Sequence, residues 1–173
     1  MGLTKTAVPL LEEVNMNSVK RIASFEVDHD YITEGIYVSR IDGDVTTYDL
    51  RTRRPNMDDY MSNITMHSFE HMIASYVRSS KIGSSVIYFG PMGCQTGFYL
   101  LVRDAENTDV LNTVFETLEK IINHDGEIFG NSRKECGNYQ NLDLDAAKTE
   151  ARRYYAAIRE NVQSFEYPKG KVK

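Results

Sequence analysis

The 173-residue sequence contains no apolar run that approaches the ~20 residues needed to span a membrane. It also lacks a basic excess, because 20 Lys and Arg residues stand against 25 Asp and Glu residues, a formal net charge of −5. A basic stripe with interleaved aromatic residues is absent too, which argues against nucleic-acid binding. The opening segment MGLTKTAVPLLEEVNMN does not look like a secretory signal, because its short apolar patch is followed by acidic residues. We therefore expect a cytoplasmic protein with no membrane or nucleic-acid partner.

Cysteine and histidine are scarce: the sequence has two cysteines, Cys94 and Cys136, and four histidines. One disulfide would be a poor framework for a chain of this length, and no export signal is predicted. Both cysteines are therefore predicted to be cytosolic thiols. Hydrophobic residues make up 41% of the chain and charged residues 26%, which is the ordinary balance of a folded globular protein.

The length fits one domain with a sizeable core, so residues 1–173 are predicted to form a single domain. Residues 1–22 show no long hydrophobic period and are predicted to be a loosely attached extension. The alternation in SFEVDH predicts a strand over residues 24–29. Two runs of β-branched and aromatic residues, GIYVSRI and DVTTYDLR, flank Asp42-Gly43 and predict a β-hairpin.

The rest of the chain contains two further strand patterns and three helix patterns. SSVIYF and GFYLLVRD predict strands, separated by the loop GPMGCQT. Apolar residues at helical spacing predict helices over about residues 64–80, 110–122 and 143–162, with Gly126 placed to end the second. Strands and helices follow one another in mixed order. This order predicts the α+β class, with an antiparallel sheet packed against helices.

The predicted helix in NITMHSFEHMIASYVRSS carries a polar pattern that is typical of a metal site. At about 100° per residue, His67, Glu70 and His71 lie on one side of the helix. The opposite side carries residues suited to a core: Phe69, Met72, Ile73, Tyr76 and Val77. Histidines four residues apart stand one turn apart and can bind the same metal ion. A carboxylate beside them, here Glu70, can then transfer protons at that ion.

The same pattern is also found on solvated helix faces, because His-x-x-Glu-His is short enough to recur by chance. The apolar opposite side, and the use of two of only four histidines, favour the metal site. Such a site needs a third ligand, and the sequence leaves several candidates: a glutamate, His29, His124, Cys94 and Cys136. A thiolate suits zinc or ferrous iron, and a three-ligand site leaves one position open for substrate.

The two cysteines lie in predicted loops of different character. Cys94 follows Gly90 and Gly93 and precedes Gly97, and glycines allow a substrate to approach the backbone closely. Backbone amides near Cys94 can favour a thiolate, although a free cysteine is more commonly structural. Cys136 lies in the polar segment KECGNYQN, a setting that suits a ligand.

Five segments, SFEVDH, YDLR, HSFEH, GPMGCQTGFY and ECGNYQ, together resemble the S-ribosylhomocysteine lyase family, which makes the autoinducer-2 precursor. The resemblance runs from Ser24 to Val162, and the motifs occur in the order of the family. It implies an α+β fold and a homodimer with two active sites at the subunit interface. It also implies one divalent metal ion per chain, Fe2+ in many members and Zn2+ in others.

Carried over position by position, the resemblance implies three metal ligands: His67, His71 and Cys136. It implies Glu70 as the acid-base group and Cys94 as the catalytic cysteine. Three positions are expected to line the substrate pocket across the dimer interface: Ser24, His29 and Arg51. The chain departs from the family in a longer amino-terminal segment and in a shorter stretch before Arg51, which has Arg53 and Arg54 as neighbours.

The implied reaction cleaves S-ribosylhomocysteine to homocysteine and 4,5-dihydroxy-2,3-pentanedione by two carbonyl migrations and a β-elimination. The residues suit this chemistry, because a metal can stabilise an enediolate while two bases, Cys94 and Glu70, serve different carbons. A small His-x-x-Glu-His metallopeptidase is an alternative, but such enzymes usually use a distant carboxylate as the third ligand. A non-enzymatic, metal-stapled binding domain is another, but structural zinc sites usually have four ligands.

Overall fold

The computed structural model of the protein describes residue 22, residues 25–161 and residues 163–169. This part of the chain contains four strands: β1 (Gly35–Asp42), β2 (Val45–Arg51), β3 (Val86–Pro91) and β4 (Gly97–Arg103). It contains three α-helices: α1 (Asn63–Arg78), α2 (Asn107–Ile122) and α3 (Leu144–Arg159). The predicted α+β class is therefore confirmed. Apart from Ile22, the predicted extension over residues 1–22 lies outside the described residues, and it stays a prediction.

The four strands form one antiparallel sheet in the order β1-β2-β4-β3. Leu50 of β2 pairs with Phe98 of β4, and these two side chains point to the face that the helices cover. Because side chains alternate along a strand, the neighbouring β2 residues Asp49 and Arg51 point to the opposite face. Tyr99, which pairs with Asp49, shares that opposite face. We call it the outer face.

The hydrophobic core lies between the sheet and the three helices. Phe69 of α1 packs edge-on against Phe98 of β4, with ring centroids 5.5 Å apart, and Phe89 of β3 stacks on the same ring at 5.1 Å. All three rings are buried, and full burial of one such side chain contributes about 1.5–3 kcal/mol to folding. No helix in the described part of the chain is long and apolar enough to cross a membrane.

Residues 163–169, which follow α3, run along the free edge of β1. The amide of Val38 donates to the carbonyl of Phe165 at 2.8 Å, and the amide of Ile36 donates to Oε1 of Gln163 at 2.9 Å. The Phe165 ring also meets the buried Tyr48 ring edge-on, at a centroid distance of 6.3 Å. The segment therefore satisfies backbone groups that an edge strand would otherwise expose.

The predicted strand over residues 24–29 is wrong. The described part of this segment forms turns, in which the amide of Asp30 donates to Oδ1 of Asp28 at 3.1 Å. His29 Nδ1 lies 2.9 Å from the carbonyl oxygen of Val27, a second bond between a side chain and a nearby backbone group. Such local bonds compete with the ladder of a sheet, and an alternating sequence pattern does not reveal them.

The other predicted elements are present, with shifts at their ends. The hairpin of β1 and β2 is confirmed, although its two-residue loop is Gly43-Asp44 rather than Asp42-Gly43, because Asp42 pairs with Val45. The prediction that Gly126 ends α2 is wrong. The helix ends at Ile122, and the amide of Asn123 bonds back to helix carbonyls. Gly126, at φ 127°, belongs to the loop that follows.

Two buried tyrosines make the fold sensitive to alkali. Tyr154 donates to the carbonyl of Gly35 at 2.8 Å, and Tyr48 donates to Oδ1 of Asn107 at 2.7 Å. Burial raises the pKa of both hydroxyls above the ordinary value of 10.0. Because the pKa is higher in the folded than in the unfolded chain, stability is fully present below pH 10 and is lost as the pH rises through the folded pKa.

We therefore expect the free energy of unfolding to fall by about 1.4 kcal/mol per pH unit for each such tyrosine above about pH 10. Urea unfolding followed by circular dichroism between pH 8 and pH 11.5 measures this slope. Tyr154→Phe should lower stability at pH 8, because the Gly35 carbonyl loses its donor, yet it should make the alkaline slope shallower by about one proton. An unchanged slope in the variant would remove Tyr154 as the cause.

Candidate active site

Helix α1 carries the two histidines, and its first turn is capped by Ser62, whose Oγ accepts a hydrogen bond from the Thr65 amide at 3.1 Å. Four of the five predicted core residues are buried: Phe69, Met72, Ile73 and Val77. Packing of this side against the core turns His67, Glu70 and His71 away from it, and all three are half-buried. The predicted division of the helix into an apolar side and a polar side is therefore confirmed.

His67, His71 and Cys136 form a group, which we call the metal cluster, whose ligand atoms all lie within 4.8 Å of one another. Sγ of Cys136 lies 3.4 Å from Nε2 of His67. The two imidazole rings meet edge-to-face, with centroids 4.7 Å apart. Two nitrogens and one sulfur therefore converge on one point, and this donor set suits Zn2+ or Fe2+.

The surroundings of His71 prepare its ring for a metal ion. Nδ1 of His71 donates to the carbonyl of Phe129 at 2.8 Å, so the lone pair of Nε2 is left for a ligand bond. The neighbouring residue, Gly130, has φ 71°, and a Cβ added there would lie 2.9 Å from Nδ1. A side chain at position 130 would therefore displace the ring, and glycine leaves it the space that it needs.

Cys136 reaches the metal cluster from the loop that follows α2. It stands 14 residues after the end of that helix and 69 residues from His67. Its amide donates to the carbonyl of Ser132 at 3.0 Å, which fixes the turn. The amide of Asn138 donates to its Sγ at 3.4 Å. The Cys136 sulfur is thus held in place by its own loop and faces the two imidazole rings. The residues present therefore fit a divalent ion.

Cys94 lies apart from the metal cluster in its bonding, in a second group that we call the thiol cluster: Cys94, Arg51 and Thr96. Sγ of Cys94 is 3.0 Å from Oγ1 of Thr96 and 3.9 Å from Nη1 of Arg51. Nη1 of Arg51 also donates to Oγ1 of Thr96 at 2.6 Å. The loop is tied to the start of α1, since the Met61 amide donates to the Gln95 carbonyl at 3.1 Å. The Cys94 thiol is therefore flanked by a hydroxyl and a guanidinium.

Arg51 is held by a bidentate ion pair with Asp49, Nη2 to Oδ2 at 2.5 Å and Nε to Oδ1 at 3.2 Å. Arg51 is 3% exposed and Asp49 is fully buried. Burial raises the pKa of the Asp49 carboxyl, and the bonds from Arg51 oppose that shift. Burial alone would lower the pKa of the Arg51 guanidinium, but the ion pair more than offsets it, so this pKa is raised. We conclude that Arg51 remains a cation beside Cys94.

Two of the other candidate ligands are engaged elsewhere. His124 Nδ1 lies 2.7 Å from the Tyr76 hydroxyl, and its Nε2 lies 2.9 Å from the Glu127 carbonyl, so both ring nitrogens have partners. His29 bonds within its own turn, as described above. Among the residues that the structure describes, no second group of three metal-ligating side chains was found.

The structure also distinguishes the three arginines of the RTRR segment. Arg53 pairs with Asp59 at 2.8 Å and with Glu150 at 2.6 Å, and Arg54 is exposed. Only Arg51 of the three contacts Cys94. Ser24, the other residue predicted to line the substrate pocket with His29, lies outside the described residues.

The sequence analysis did not include Asp49 and Thr96 among the site residues, although the position of each in the sequence indicated a place near the site. Asp49 stands two residues before Arg51 in a predicted strand, so alternation already placed the two side chains on one face. Thr96 stands two residues after Cys94. A third missed residue, Tyr167, donates to Oδ2 of Asp49 at 2.8 Å, and nothing in the local sequence pointed to it.

An α+β domain that brings together three side chains able to hold a metal ion, contains two fewer cysteines than a Cys-rich structural zinc site needs, and holds a second thiol beside a buried arginine has the features of a metal-dependent enzyme rather than of a structural zinc domain. The chain belongs to the S-ribosylhomocysteinase (LuxS) family, whose model matches residues 22–165.

Three relatives illustrate the similarity, and all are named S-ribosylhomocysteine lyase. The chain is 43% identical to the protein of Finegoldia magna over 145 aligned residues, which cover 81% of this chain and 92% of that protein. It is 38% identical to the protein of Borreliella burgdorferi strain ZS7 over 157 aligned residues, which cover 87% of this chain and 100% of that protein. It is 39% identical to the protein of Desulfotalea psychrophila over 158 aligned residues, which cover 87% of this chain and 99% of that protein. The family resemblance is confirmed, and neither alternative, a metallopeptidase or a non-enzymatic binding domain, is supported.

Proposed function

We propose that this protein is a metal-dependent S-ribosylhomocysteine lyase, which cleaves S-ribosylhomocysteine to homocysteine and 4,5-dihydroxy-2,3-pentanedione. The observation that carries the proposal is the metal cluster of His67, His71 and Cys136 in a chain 43% identical to a protein of that name. We further propose that residues 1–173 act as one catalytic domain in the cytoplasm. Its products would be the autoinducer-2 precursor, used in quorum sensing, and homocysteine for the activated methyl cycle.

The metal cluster is proposed to hold one Fe2+ or Zn2+ per chain. Its two imidazole nitrogens and one thiolate leave a position for an oxygen of the substrate. The bound ion would polarise the substrate carbonyl and stabilise negative charge on its oxygen. His71 is kept in the ligating tautomer by its bond to Phe129.

Glu70 and Cys94 are proposed to be the two acid-base groups. Each carbonyl migration moves one proton between neighbouring carbons and one between their oxygens, so the substrate is neither oxidised nor reduced overall. A thiolate at Cys94, next to the Arg51 guanidinium, can remove a proton from a carbon beside a carbonyl. Glu70, which immediately precedes His71 on α1, can serve a different carbon. In the last step a base removes a proton, a C=C bond forms and the C–S bond breaks, releasing homocysteine.

The test of this function is the release of free thiol from S-ribosylhomocysteine by the purified, metal-loaded protein. A thiol-reactive dye measures homocysteine, and a diamine that traps vicinal diketones measures the second product. Equal amounts of both are expected. Release of homocysteine without the diketone would contradict the proposed reaction, and hydrolysis of a peptide substrate instead would favour the metallopeptidase.

We also propose a homodimer that shares its active sites. Its support is the outer face of the sheet, where a shallow cleft of about 430 Å³ is lined by Ile22, Tyr88, Tyr99 and Leu101 among others. Ile22 is 54% exposed and Tyr88 is 52% exposed. The outer face also carries Arg51. A second copy that covered these apolar side chains would therefore lie beside the thiol cluster. Ser24, His29 and Arg51 are proposed to bind substrate at this boundary.

Shared sites predict complementation between inactive chains. A mixture of His29→Ala and Glu70→Ala chains should recover up to about one quarter of wild-type activity, because half of the chains pair as hybrids with one intact site of two. The control mixture is His67→Ala with Glu70→Ala. Both residues belong to α1 of the same chain, so no hybrid site is intact and no recovery is expected. Absence of recovery in the first mixture, after subunit exchange is verified by mass, would count against shared sites.

A further inference from the structure

We propose that Tyr167 is a positioning residue for the thiol cluster: its hydroxyl holds Asp49, and through Asp49 it sets the position of Arg51 beside Cys94. The inference rests on the acid-base role proposed for Cys94. It concerns a residue that lies two positions beyond the stretch matched by the family model, residues 22–165.

An unbroken chain of polar contacts joins Tyr167 to the catalytic thiol. The Tyr167 hydroxyl donates to Oδ2 of Asp49 at 2.8 Å. Asp49 accepts from Nη2 and Nε of Arg51, at 2.5 and 3.2 Å. The remaining nitrogen, Nη1 of Arg51, reaches Thr96 at 2.6 Å and Cys94 at 3.9 Å. Every nitrogen of the guanidinium is therefore in use, and its position depends on where Asp49 is held.

Tyr167 is itself held in one orientation. Its ring stacks on the ring of Tyr37, with centroids 4.8 Å apart and an interplanar angle of 17°. The Tyr37 hydroxyl donates to the Thr33 carbonyl at 2.9 Å, which fixes the Tyr37 ring of the stack. Two residues earlier, the bond from the Val38 amide to the Phe165 carbonyl ties the segment to β1. The hydroxyl is thus directed at Asp49 by contacts that would survive its removal.

Loss of the hydroxyl should weaken the support that Arg51 gives to a thiolate. Asp49 is fully buried, so an oxygen that loses its donor cannot recover one from water without rearrangement. The carboxylate would then draw the guanidinium more strongly to itself and away from Cys94. The negative charge of Asp49 would also be less well neutralised, so more of it would act on the Cys94 thiol. Both changes disfavour the thiolate.

Several other titratable groups act on this network and are present in both the wild-type protein and the variant. Those whose charge acts on Asp49 or on Cys94 are Arg51, His29, Tyr37, Tyr99 and Tyr154. The experiment therefore compares variants at each pH rather than relying on one absolute profile.

The test uses the full-length, metal-loaded protein and the variant Tyr167→Phe, which keeps the stacked ring and removes only the oxygen. The rate of iodoacetamide alkylation at Cys94 is measured between pH 6 and pH 9.5 by mass spectrometry of the peptide that contains it, so that Cys136 does not contribute. We expect the rate at pH 7 to fall by about threefold, since thiolate is the reactive form and one bond to a buried charge is lost. The difference should close above about pH 9, where the thiol ionises without help. The acid limb of kcat/KM should change in parallel.

Tyr155→Phe is the matched control, because it also removes a hydroxyl that donates to a carboxylate, Glu119 at 2.8 Å, but on an exposed part of α3. It should match the wild-type protein at every pH. A second variant that ends after Glu166 keeps the Phe165 contact and should reproduce the effect of Tyr167→Phe. Wild-type alkylation rates in Tyr167→Phe would overturn the inference, and so would a loss that is equal at every pH, because that indicates only a structural role. Alkylation needs no turnover, so failure of the inference is distinct from failure of the proposed lyase activity.

Discussion

The Cys136→Ala protein is expected to retain little of the roughly one divalent ion per chain that the wild-type protein should hold, and its turnover should fall below detection. Three protein ligands leave no redundancy, and Sγ of Cys136 lies only 3.4 Å from Nε2 of His67. His67→Ala should behave in the same way. Elemental analysis of protein purified without added metal measures the loss. The thermal midpoint should also fall, because metal binding stabilises the folded state that presents the ligands.

The matched control for His67→Ala is His124→Ala. It removes a histidine whose two ring nitrogens are bonded to Tyr76 and to the Glu127 carbonyl, outside the metal cluster. It should keep a full complement of metal while its free energy of unfolding falls by about 1 kcal/mol, the scale of a hydrogen bond. Full metal content in Cys136→Ala would show that the third ligand is another residue.

The Cys94→Ala and Glu70→Gln proteins are expected to keep their metal and their fold while kcat falls by about 10²–10⁴, the scale of one general acid-base group. Glu70→Gln preserves the shape of the side chain, and Cys94 takes part in the thiol cluster rather than in the metal cluster. Steady-state assays of thiol release, together with metal analysis of the same samples, measure the two properties side by side.

Cobalt substitution separates the two cysteines by spectroscopy. A thiolate that binds Co2+ gives an intense charge-transfer band in the near ultraviolet, and this band should survive Cys94→Ala and disappear in Cys136→Ala. The opposite result would mean that ligand and base have been interchanged. Loss of the band in both variants would mean that both sulfurs reach the metal.

The two sides of the histidine helix could be predicted, Tyr76 excepted, because they depend only on the spacing of residues that are close in sequence. Spacing alone separated the side with Phe69 and Met72 from the side with His67 and His71. The proposed third ligand could not be predicted in this way. Spacing left five candidates, since Cys136 lies 69 residues from His67 and only the folded chain brings them together. The family resemblance singled out Cys136, and the structure shows it within the cluster.

The failures have local or long-range physical causes. SFEVDH alternates as a strand does, but local bonds to side chains, such as that from the Asp30 amide to the Asp28 carboxylate, stabilise turns in this segment instead. Tyr167 could not have been found from sequence, because its partner Asp49 is 118 residues away. A hydrophobic or polar pattern reports which face a residue occupies, and it does not report which distant side chain meets it there.

The contacts of the proposed site bridge very different distances along the chain, from one helical turn between His67 and His71 to the 118 residues between Asp49 and Tyr167. His67 and His71 are aligned as soon as α1 exists, and helices form on the microsecond scale. The thiol cluster needs β2 to pair with β4, and then needs the segment after α3 to bring Tyr167 to Asp49. Contacts of such long range are the slow part of folding. During refolding, His67 and His71 should therefore be aligned well before Cys94 lies beside Arg51. Recovery of catalytic activity should lag behind recovery of helix content.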